Sequence, residues 1–515
     1  MKNKKIGVID VFAGPGGLSE GFANFLGEDG EHPFEIAVSA EKEVSAHSTL
    51  TLRAFSRLLR STGPDLLQKY NNVIRRPDLR DHLEQIFSEE PFDQFWHRAQ
   101  RESLNLTLGE EEHDRELYGR ISAVQRNFDE LVLIGGPPCQ AYSLVGRARN
   151  ANVPGFKERG DHRHFLYRKY LDILAAFSPA VFVMENVKGM LSSTVGGKVI
   201  FDTIVSDLAR PGRALGIKSK ESLRYRILPV MGSDLSTLTN GDVDPREFIV
   251  RSENYGIPQT RHRVILLGVR EDFLPIKNIS EVELSSARVS SGTALSTLPR
   301  LRSGISRRPD SVDEWLRSVE RERKTIVSRT KRTHPELANY LANINFDDHL
   351  PRTASSYHGR KNRYVSEMRK TSLDVVANHE SRGNMSSDLG RYLFASAWMG
   401  VYDYSPKSAE FPGFLAPEHA NWKTGKFADR FRVLSKHRPS PTVTSHLSKD
   451  GHAFIHWDVS QCRSITVREA ARLQSFPDDY IFLGNRTQQF VQVGNAVPPI
   501  LAEKIARIVH SVVAS

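Results

Sequence analysis

The sequence predicts an α/β protein with a mainly parallel sheet and a second, irregular domain. Short apolar runs of strand length alternate with helix-like segments over the first half of the 515 residues. Glycine-rich turns directly follow two of those runs. Beyond about residue 270 the periodicity weakens, and Arg, Lys, Ser, Gly and Pro become frequent. Strands that alternate with helices are typical of parallel sheets with helical crossovers, so these observations together favour this fold class.

The chain opens with the elements of a ligand-binding turn. An apolar strand at residues 5–13 is followed by the glycine-rich turn Gly14-Pro15-Gly16-Gly17 and by a helix at residues 18–26. A second strand at residues 34–40 then ends in an acid, Glu41. Glycines let a backbone approach a ligand closely, and an acid at the end of the second strand can bind a ribose diol. A tight turn without a ligand is the alternative, because Ser19 breaks the G-x-G-x-x-G spacing.

A long, charge-mixed segment of mainly helical pattern, residues 50–127, comes next. Three further strands follow it, at residues 131–134, 180–184 and 264–269, and a helix lies between the first two, at residues 165–176. The final helix, residues 499–513, places Leu501, Ile505 and Val509 on one face. We therefore expect it to pack back on the first domain.

Two of the later strands end in residues that can carry chemistry. One runs into Gly135-Gly136-Pro137-Pro138-Cys139, and the other runs into Glu185. Ligands of open α/β sheets bind at the carboxyl ends of the strands, so both residues would face the same ligand. A lone cysteine is more often a small buried hydrophobe, and a carboxylate often bonds only loop amides. The prolines and glycines before Cys139 favour a functional thiol.

Composition limits the compartment and the partners. The formal net charge of +10 favours a polyanionic partner, although solubility alone would also account for it. The only cysteines are Cys139 and Cys462, which suggests a reducing compartment and excludes a Cys-rich zinc site. No apolar run approaches the roughly 18 residues of a membrane span, and the N-terminus does not resemble a signal peptide. We therefore expect a cytoplasmic protein.

Basic residues concentrate in two stretches of the second half, at residues 300–332 and 352–370. A solvated surface is the usual explanation of such charge runs. Because both stretches lie between segments with catalytic features, contact with DNA is the stronger interpretation.

Seven motifs, in order, resemble those of the DNA cytosine C5-methyltransferases. They are DVFAGPGG at residues 10–17, GGPPCQAYS at 135–143, DHRHFLY at 161–167, MENV at 184–187, QTRHR at 259–263, RSITVREAARLQSFP at 463–477 and QVGNAVPP at 492–499. One such match would be weak, whereas the ordered set is specific. The resemblance covers about residues 1–50, 125–270 and 430–515.

The resemblance implies the Rossmann-like sheet of S-adenosylmethionine-dependent methyltransferases and the activity of a DNA (cytosine-5-)-methyltransferase. It implies a catalytic domain at residues 1–270 with a helical insertion at about 50–127, a target-recognition domain at 271–430 and a C-terminal return to the catalytic domain at 431–515. The substrates would be S-adenosylmethionine and double-stranded DNA with a flipped-out cytosine. We expect a monomer that binds no metal and contacts no membrane. A cognate restriction or defence-system component is the expected protein partner.

The resemblance also carries family roles onto single residues. Cys139 would add to C6 of cytosine, Glu185 would stabilise N3, Arg263 would bond O2, and Arg261 would help to hold the DNA and the loop. Contacts with S-adenosylmethionine would come from Phe12, Gly14, Gly16, Glu41, Pro138, Leu166 and Asn495. The acid that reads the adenine amino group is not placed, and Asp114 is a weak candidate.

Three other functions compete with this one. An RNA or tRNA cytosine methyltransferase would share the catalytic motifs, but such relatives usually carry a smaller module in place of the long basic segment. A catalytically dead DNA-binding subunit is disfavoured because Cys139, Glu185 and Arg263 are all present. A nicotinamide-dependent oxidoreductase is disfavoured by the spacing of the glycine turn and by the cysteine loop.

Overall fold

The computed structural model describes most of the chain as two compact units. The described residues are 4–60, 62–74, 79–138, 162–195, 198–231, 243–276, 282, 284–370, 373, 375–418, 422 and 430–514. The first unit comprises Met1–Tyr255, Arg261–Ser286 and Ala496–Ser515, and the second comprises Gly256–Thr260 and Ala287–Asn495. Within these described ranges, none of the helices has the length and apolar character needed to cross a membrane.

The first unit contains ten strands and ten helices among its described residues. The strands are β1 (Ile6–Val11), β2 (Phe34–Glu41), β3 (Ser103–Asn105), β4 (Glu130–Gly135), β5 (Val181–Val187), β6 (Thr194–Val195), β7 (Lys198–Val199), β8 (Tyr225–Pro229), β9 (Ile249–Arg251) and β11 (His262–Arg270). The helices are α1 (Gly17–Asn24), α2 (Val44–Arg60), α3 (Pro64–Ile74), α4 (Leu79–Phe87), α5 (Asp93–Glu102), α6 (Glu111–Val124), α7 (His162–Phe177), α8 (Ile200–Ala209), α9 (Pro211–Ala214) and α17 (Pro499–Ala514).

The main sheet is parallel on one side and antiparallel on the other. Its strand order is β3-β2-β1-β4-β5-β11-β8, and β9 pairs with β11. The strands from β3 to β5 run parallel to their neighbours, whereas β11 runs antiparallel to β5, β8 and β9. The predicted α/β fold class with a parallel-dominated sheet is confirmed.

Burial explains why this sheet forms. Strand β1 is buried at every position, as its apolar run, which only Asp10 interrupts, predicts for a central parallel strand. Helix α1 packs on the final helix, α17. A Cβ on Gly17 would lie only 2.2 Å from the carbonyl oxygen of Val497, so glycine is required at this contact. The C-terminal helix therefore belongs to the first unit, where the sequence led us to expect it.

The segment at residues 50–127 is mainly helical, as predicted, but it also holds strand β3. Its helices bury an aromatic cluster that includes Phe55, Phe87, Phe92 and Trp96. Arg53 on α2 forms a buried ion pair with Glu20 on α1, which links the insertion to the first helix. Because β3 pairs with β2, the insertion also extends the main sheet by one strand.

The second unit has a hydrophobic core of its own. Its strands are β10 (Gln259–Thr260), β12 (Gly304–Ile305), β13 (Gly383–Asn384) and β14 (Ser440–Pro441). Its helices are α10 (Ser291–Leu295), α11 (Val312–Thr330), α12 (Pro335–Ala342), α13 (Arg363–Met368), α14 (Ser386–Tyr402), α15 (Val467–Leu473) and α16 (Arg486–Asn495). Trp315 and Val319 from α11 pack in this core with Tyr392 and Phe394 from α14.

Candidate active site at the carboxyl edge of the sheet

Five neighbouring strands end level with one another at one edge of the main sheet. Successive register partners across β3, β2, β1, β4 and β5 are Leu104, Ala40, Val11, Gly135 and Met184. The residues that follow them in the chain are Asn105, Glu41, Phe12, Gly136 and Glu185. The register therefore brings three of the predicted site residues, Glu41, Phe12 and Glu185, to one row. The row spans roughly 19 Å at about 4.8 Å per strand.

The turn after β1 uses a left-handed backbone at three positions. The φ angles are 56° at Phe12, 59° at Gly14 and 95° at Gly16. A non-glycine residue in this region costs about 1–3 kcal/mol and is often found at ligand sites. No described protein atom lies within 4 Å of the position that a Cβ on Gly14 would take. The turn therefore leaves open space directly beside its backbone.

Glu41 ties the end of β2 to this turn. Its Oε2 accepts a hydrogen bond from the Gly14 amide at 2.8 Å, and its Oε1 accepts one from the Glu43 amide at 2.8 Å. Each carboxylate oxygen has two lone-pair sites, so both retain capacity for ligand hydroxyls. Glu41 is partly buried, and its two backbone contacts fix the carboxylate beside the open turn.

Asp10 lies directly below the turn, on the last stretch of β1. Its side chain is fully buried. Burial raises the pKa of Asp10 to about 7, with the charge of Glu41 adding to the rise and Ser19 opposing it. The stability of the first unit is therefore sensitive to pH at a position two residues before Phe12.

Strand β3 contributes Asn105, which the sequence did not indicate as a site residue. Its Nδ2 donates to the carbonyl oxygen of Glu41 at 2.9 Å and to that of Lys42 at 3.1 Å. These two bonds use both amide protons and leave Oδ1 as the remaining acceptor. The side chain is exposed. Only the pairing of β3 with β2 places this residue beside Glu41, so no local motif signals it.

Asp114, the weak candidate for reading adenine, has other partners. Its Oδ1 accepts from the Gly109 amide at 2.9 Å, and its Oδ2 lies 2.9 Å from Lys169 Nζ on α7. The carboxylate thus fixes the loop before α6 and links α6 to α7. This structural role accounts for Asp114 without a ligand.

Glu185 and Arg263 form an ion pair at the other end of the row. Glu185 Oε1 lies 2.8 Å from Arg263 Nε, and the side chains are 13% and 15% exposed. The antiparallel pairing of β11 with β5 places Arg263 opposite Val187, two residues from Glu185. A Cβ on Gly136 would lie 3.1 Å from Glu185 Oε2. The loop after β4 therefore begins against the carboxylate of Glu185.

Asn186 connects two of these loops, although we did not single out its side chain from the sequence. Its Nδ2 donates to the Pro137 carbonyl at 3.4 Å, and its Oδ1 accepts from the Val187 amide at 2.8 Å.

Arg261 is almost fully buried, and the Ser252 hydroxyl donates to its carbonyl oxygen at 2.8 Å. Burial, together with the nearby charge of Arg263, lowers the pKa of Arg261 well below its usual range.

The remaining predicted residues are distributed as follows. Cys139 lies outside the described residues, whereas Pro138, directly before it, is partly buried. Leu166 on α7 packs against the core of the first unit. Asn495 is exposed and ends α16 of the second unit. The other cysteine, Cys462, is buried, and burial raises its pKa well above the usual range, which is typical of an inert structural thiol.

The comparison with protein families gives one match over most of the chain. The family model for C-5 cytosine-specific DNA methylases matches residues 111–217 and 244–511. These ranges include the ENV and QxRxR motifs and both C-terminal motifs. The match therefore covers more than half of the chain and six of the seven motifs in full, including the cysteine loop and all except the DVFAGPGG motif at residues 10–17.

Curated relatives extend the match to nearly the full chain. Type II methyltransferase M.Bpa9945I of Bacillus paralicheniformis is 32% identical over 518 residues, which cover 98% of this chain and 99% of the relative. DNA (cytosine-5-)-methyltransferase M.ApeKI of Aeropyrum pernix is 27% identical over 430 residues, which cover 75% of this chain and 82% of the relative. The first of these alignments includes the helical insertion.

A solved structure agrees with the fold. It is a prophage-encoded protein of E. coli, described as a DNA modification methyltransferase, and it superposes with a TM-score of 0.53 at 20% sequence identity. The superposition covers 99% of this chain and 100% of the other. At this identity the likeness concerns the fold.

Proposed function

Because this chain belongs to the family of C-5 cytosine-specific DNA methylases, we propose that it transfers a methyl group from S-adenosylmethionine to C5 of a cytosine flipped out of a specific duplex DNA site. The proposed route uses a temporary bond between Cys139 Sγ and C6 of the base. The observation that carries this proposal is the row of level strand ends, which brings Glu41, the open glycine turn and the Glu185–Arg263 pair to one edge.

The residues of the first unit fit S-adenosylmethionine, which supplies an electrophilic methyl group when bound. The open space at Gly14 suits the methionine end, and the fixed carboxylate of Glu41 suits the ribose hydroxyls. Phe12 would cover the adenine ring, and Asn105 Oδ1 would accept from its amino group. The other residues proposed to line this site are Gly16, Pro138, Leu166 and Asn495.

Cys139 is proposed to activate the base. Cytosine C5 is a poor nucleophile, and addition of the Cys139 thiolate to C6 turns the C5–C6 double bond into an electron-rich enamine. C5 can then take the methyl group. Loss of the C5 proton to a base and cleavage of the C6–S bond restore the aromatic ring and the free thiolate. Cys139 is therefore regenerated as a free thiolate at the end of the reaction.

Glu185 and Arg263 would stabilise the charge that this addition creates. Negative charge develops on the ring towards N3 and O2 as the thiolate adds. Glu185, sharing a proton with N3, and Arg263, donating to O2, would offset that charge. Their ion pair at 2.8 Å holds both side chains in place before the base arrives. Arg261, buried next to them, would help to position the DNA and the cysteine loop.

The basic second half of the chain is proposed to bind the DNA. Flipping a base out of the duplex costs a few kcal/mol, which contacts with the DNA must offset. We propose residues 271–430 as the target-recognition domain and residues 1–270 and 431–515 as the catalytic part. The type II methyltransferases among the relatives favour a restriction–modification setting with a cognate nuclease.

Expression in a methylation-free bacterial host followed by bisulfite sequencing tests the proposed function. We expect protected cytosines in one short sequence motif. Cys139→Ser should abolish protection, because the weaker hydroxyl nucleophile cannot form the C6 bond efficiently. Folded wild-type protein that protects no cytosine, or a Cys139→Ser variant with full activity, would contradict the proposal. Methyl transfer to tRNA in preference to duplex DNA would favour the RNA-modifying alternative.

A matched pair of glutamates tests the catalytic edge in the same assay. Glu185→Gln removes the negative partner of Arg263 and the proton-sharing group, so we expect methyl transfer to fall about 10²–10³-fold. The control is Glu130→Gln. Glu130 begins β4, at the end of the strand away from the proposed site, and its carboxylate lies 3.7 Å from the Arg270 guanidinium. The control should retain nearly full activity, and an equal loss in both variants would rule out a specific role for Glu185.

A further inference from the structure

The two basic stretches of the second unit differ in how their charge is balanced. Along helix α11, N···O distances of 2.7 to 3.5 Å join arginines to nearby glutamates in the pairs Arg308–Glu314, Arg317–Glu314, Arg321–Glu322 and Arg323–Glu320. Positive charge that is balanced in this way adds little to the electrostatic field at a distance. This part of the first basic stretch, residues 308–323, therefore has the character of a solvated helix face.

The loop that leads into helix α13 carries charge without such balance. Arg360, Lys361 and Arg363 are all exposed. Among the residues that the structure describes, none of these three forms an ion pair with a carboxylate, whereas Arg352 and Lys370, farther away on either side, do. The loop therefore presents three positive charges to solvent within four consecutive residues.

Helix α10 holds this loop beside a loop around Lys436, here called the second basic loop, which is distant in the sequence. At the start of the helix, the Gly292 amide donates to the carbonyl oxygen of Lys436 at 2.9 Å. At its middle residue, Asn362 Nδ2 donates to the carbonyl oxygen of Thr293 at 2.9 Å. A helix of five residues is about 7.5 Å long, roughly one Debye length at physiological salt. The exposed Lys436 therefore adds to the same local field.

A buried arginine anchors helix α10 in the second unit. Arg472 Nη1 donates to the Ala294 carbonyl at 3.0 Å and to Thr297 Oγ1 at 3.0 Å. The same guanidinium forms an ion pair with Asp478 at 2.6 Å. Because the helix is fixed to the interior, the two loops on it are held in place before a ligand binds. Preorganised groups lose less conformational freedom on binding.

The second basic loop also runs into strand β14, which pairs with the short strand β10. Strand β14 begins shortly after Lys436 and pairs in parallel with β10, so that Thr260 is the partner of Pro441. Thr260 directly precedes Arg261 in the sequence. Within the second unit, one short strand pairing therefore joins the end of the basic loop to Gln259 and Thr260, the first two residues of the QxRxR motif.

We propose that Arg360, Lys361, Arg363 and Lys436, together called the basic surface, contact the phosphate backbone of the duplex DNA substrate. The inference rests on the proposed function, which supplies the polyanion. Four exposed cations on a fixed frame suit phosphates, since such contacts position a protein on DNA without reading its sequence. The arginines that are balanced by glutamates between residues 308 and 323 do not offer such free charge.

Salt-dependent binding of two matched triple variants tests the basic surface. Arg360→Ala/Lys361→Ala/Arg363→Ala is compared with Arg308→Ala/Arg317→Ala/Arg321→Ala, on helix α11 and just before it, which removes the same charge from exposed positions that are paired with glutamates. Binding to a fluorescent duplex is measured by anisotropy from 0.05 to 0.3 M salt. Each lost phosphate contact lowers the slope of log K against log salt by about 0.9, so we expect a loss of about 2–3 units and at least about tenfold weaker binding at 0.1 M salt for the first variant. The control should keep a slope within about 0.5 of wild type.

Further measurements separate this inference from the proposed function. The loss should be equal for specific and scrambled duplexes, since phosphate contacts carry no sequence information. Arg360→Lys/Arg363→Lys should keep the slope, and thermal denaturation checks that every variant is folded. Equal slopes in both alanine variants would overturn the inference. So would an Arg360→Ala/Lys361→Ala/Arg363→Ala variant that binds tRNA more weakly than the wild type does but binds duplex DNA equally well. Wild-type protein that binds duplex but never methylates it would contradict the proposed function alone.

Discussion

The side chain of Asn105 shows how backbone contacts can prepare a single residue for a ligand. Both amide protons are donated to carbonyl oxygens of the loop after β2, so the orientation of the amide is set by the protein. A hydrogen-bond acceptor remains at the exposed end. The 6-amino group of adenine is a donor, whereas the 6-oxo group of hypoxanthine is an acceptor. In the proposed cofactor site, Oδ1 of Asn105 would therefore discriminate between these bases.

We predict that Asn105→Ala weakens binding of S-adenosylhomocysteine about 5–10-fold, the effect of losing one neutral hydrogen bond. Binding of S-inosylhomocysteine, which lacks the amino group, should change much less. Isothermal titration calorimetry measures both. The control is Asn343→Ala, which removes another exposed asparagine whose Nδ2 donates to a backbone carbonyl at 2.9 Å. If Asn105→Ala weakens both ligands equally, Asn105 does not read the adenine edge.

At the scale of elements, the contact between helices α1 and α17 depends on glycine. Backbone atoms occupy the space next to Gly17, and a Cβ on Gly21 would lie 2.4 Å from the Cβ of Ala502. The N-terminus of α1 directly follows the glycine turn, so this contact also supports the proposed cofactor site. By contrast, no described atom lies within 4 Å of a Cβ on Gly119 in helix α6.

We predict opposite effects for two glycine-to-alanine substitutions. Gly17→Ala should lower the free energy of unfolding by at least about 2 kcal/mol, because the Val497 carbonyl must move. Gly119→Ala should raise it by about 1 kcal/mol, because alanine is the better helix former at an exposed position. Urea denaturation measures both. A stabilising Gly17→Ala would show that the two helices can separate freely.

Elements with a strong local pattern could be predicted from the sequence. The apolar run of β1, the turn after it and Glu41 are all local, and the structure brings the turn and Glu41 together. Strand β3 has three residues, too few for a periodic signal, so Asn105 was missed with it. Helix α11 carries an apolar stripe among many charged residues, but it lies in a segment that we expected to be irregular. What the sequence could not predict depends on pairing between distant segments.

At the scale of the whole molecule, the two units carry buried titratable groups of opposite effect. In the first, burial raises the pKa of Asp10 to about 7. In the second, burial lowers the pKa values of His379 and His456 to about 4. The groups facing His456 include Arg463, which lowers its pKa further, and the carboxylates of Glu469 and Asp458, which oppose the shift.

The signs of these shifts predict that acidification from pH 8 to pH 5 strengthens the first unit and weakens the second. Asp10 binds a proton more readily when folded, so its contribution to stability is lost as the pH rises through about 7 and returns on acidification. The two histidines bind protons less readily when folded, so stability is lost as the pH falls below about 6.5 towards 4. Each group should contribute roughly 2–3 kcal/mol at pH 5.

Hydrogen exchange with peptide-level mass spectrometry, corrected for intrinsic rates, reports the opening free energy of each unit separately. We expect protection in the buried strands of the main sheet to rise between pH 8 and pH 5, and protection in helices α14 and α15 to fall. Asp10→Asn should remove the rise and leave the fall, because an amide does not titrate. His456→Asn should halve the fall and leave the rise. Parallel changes of both units with pH would show that other groups, and not these three, control the acid response.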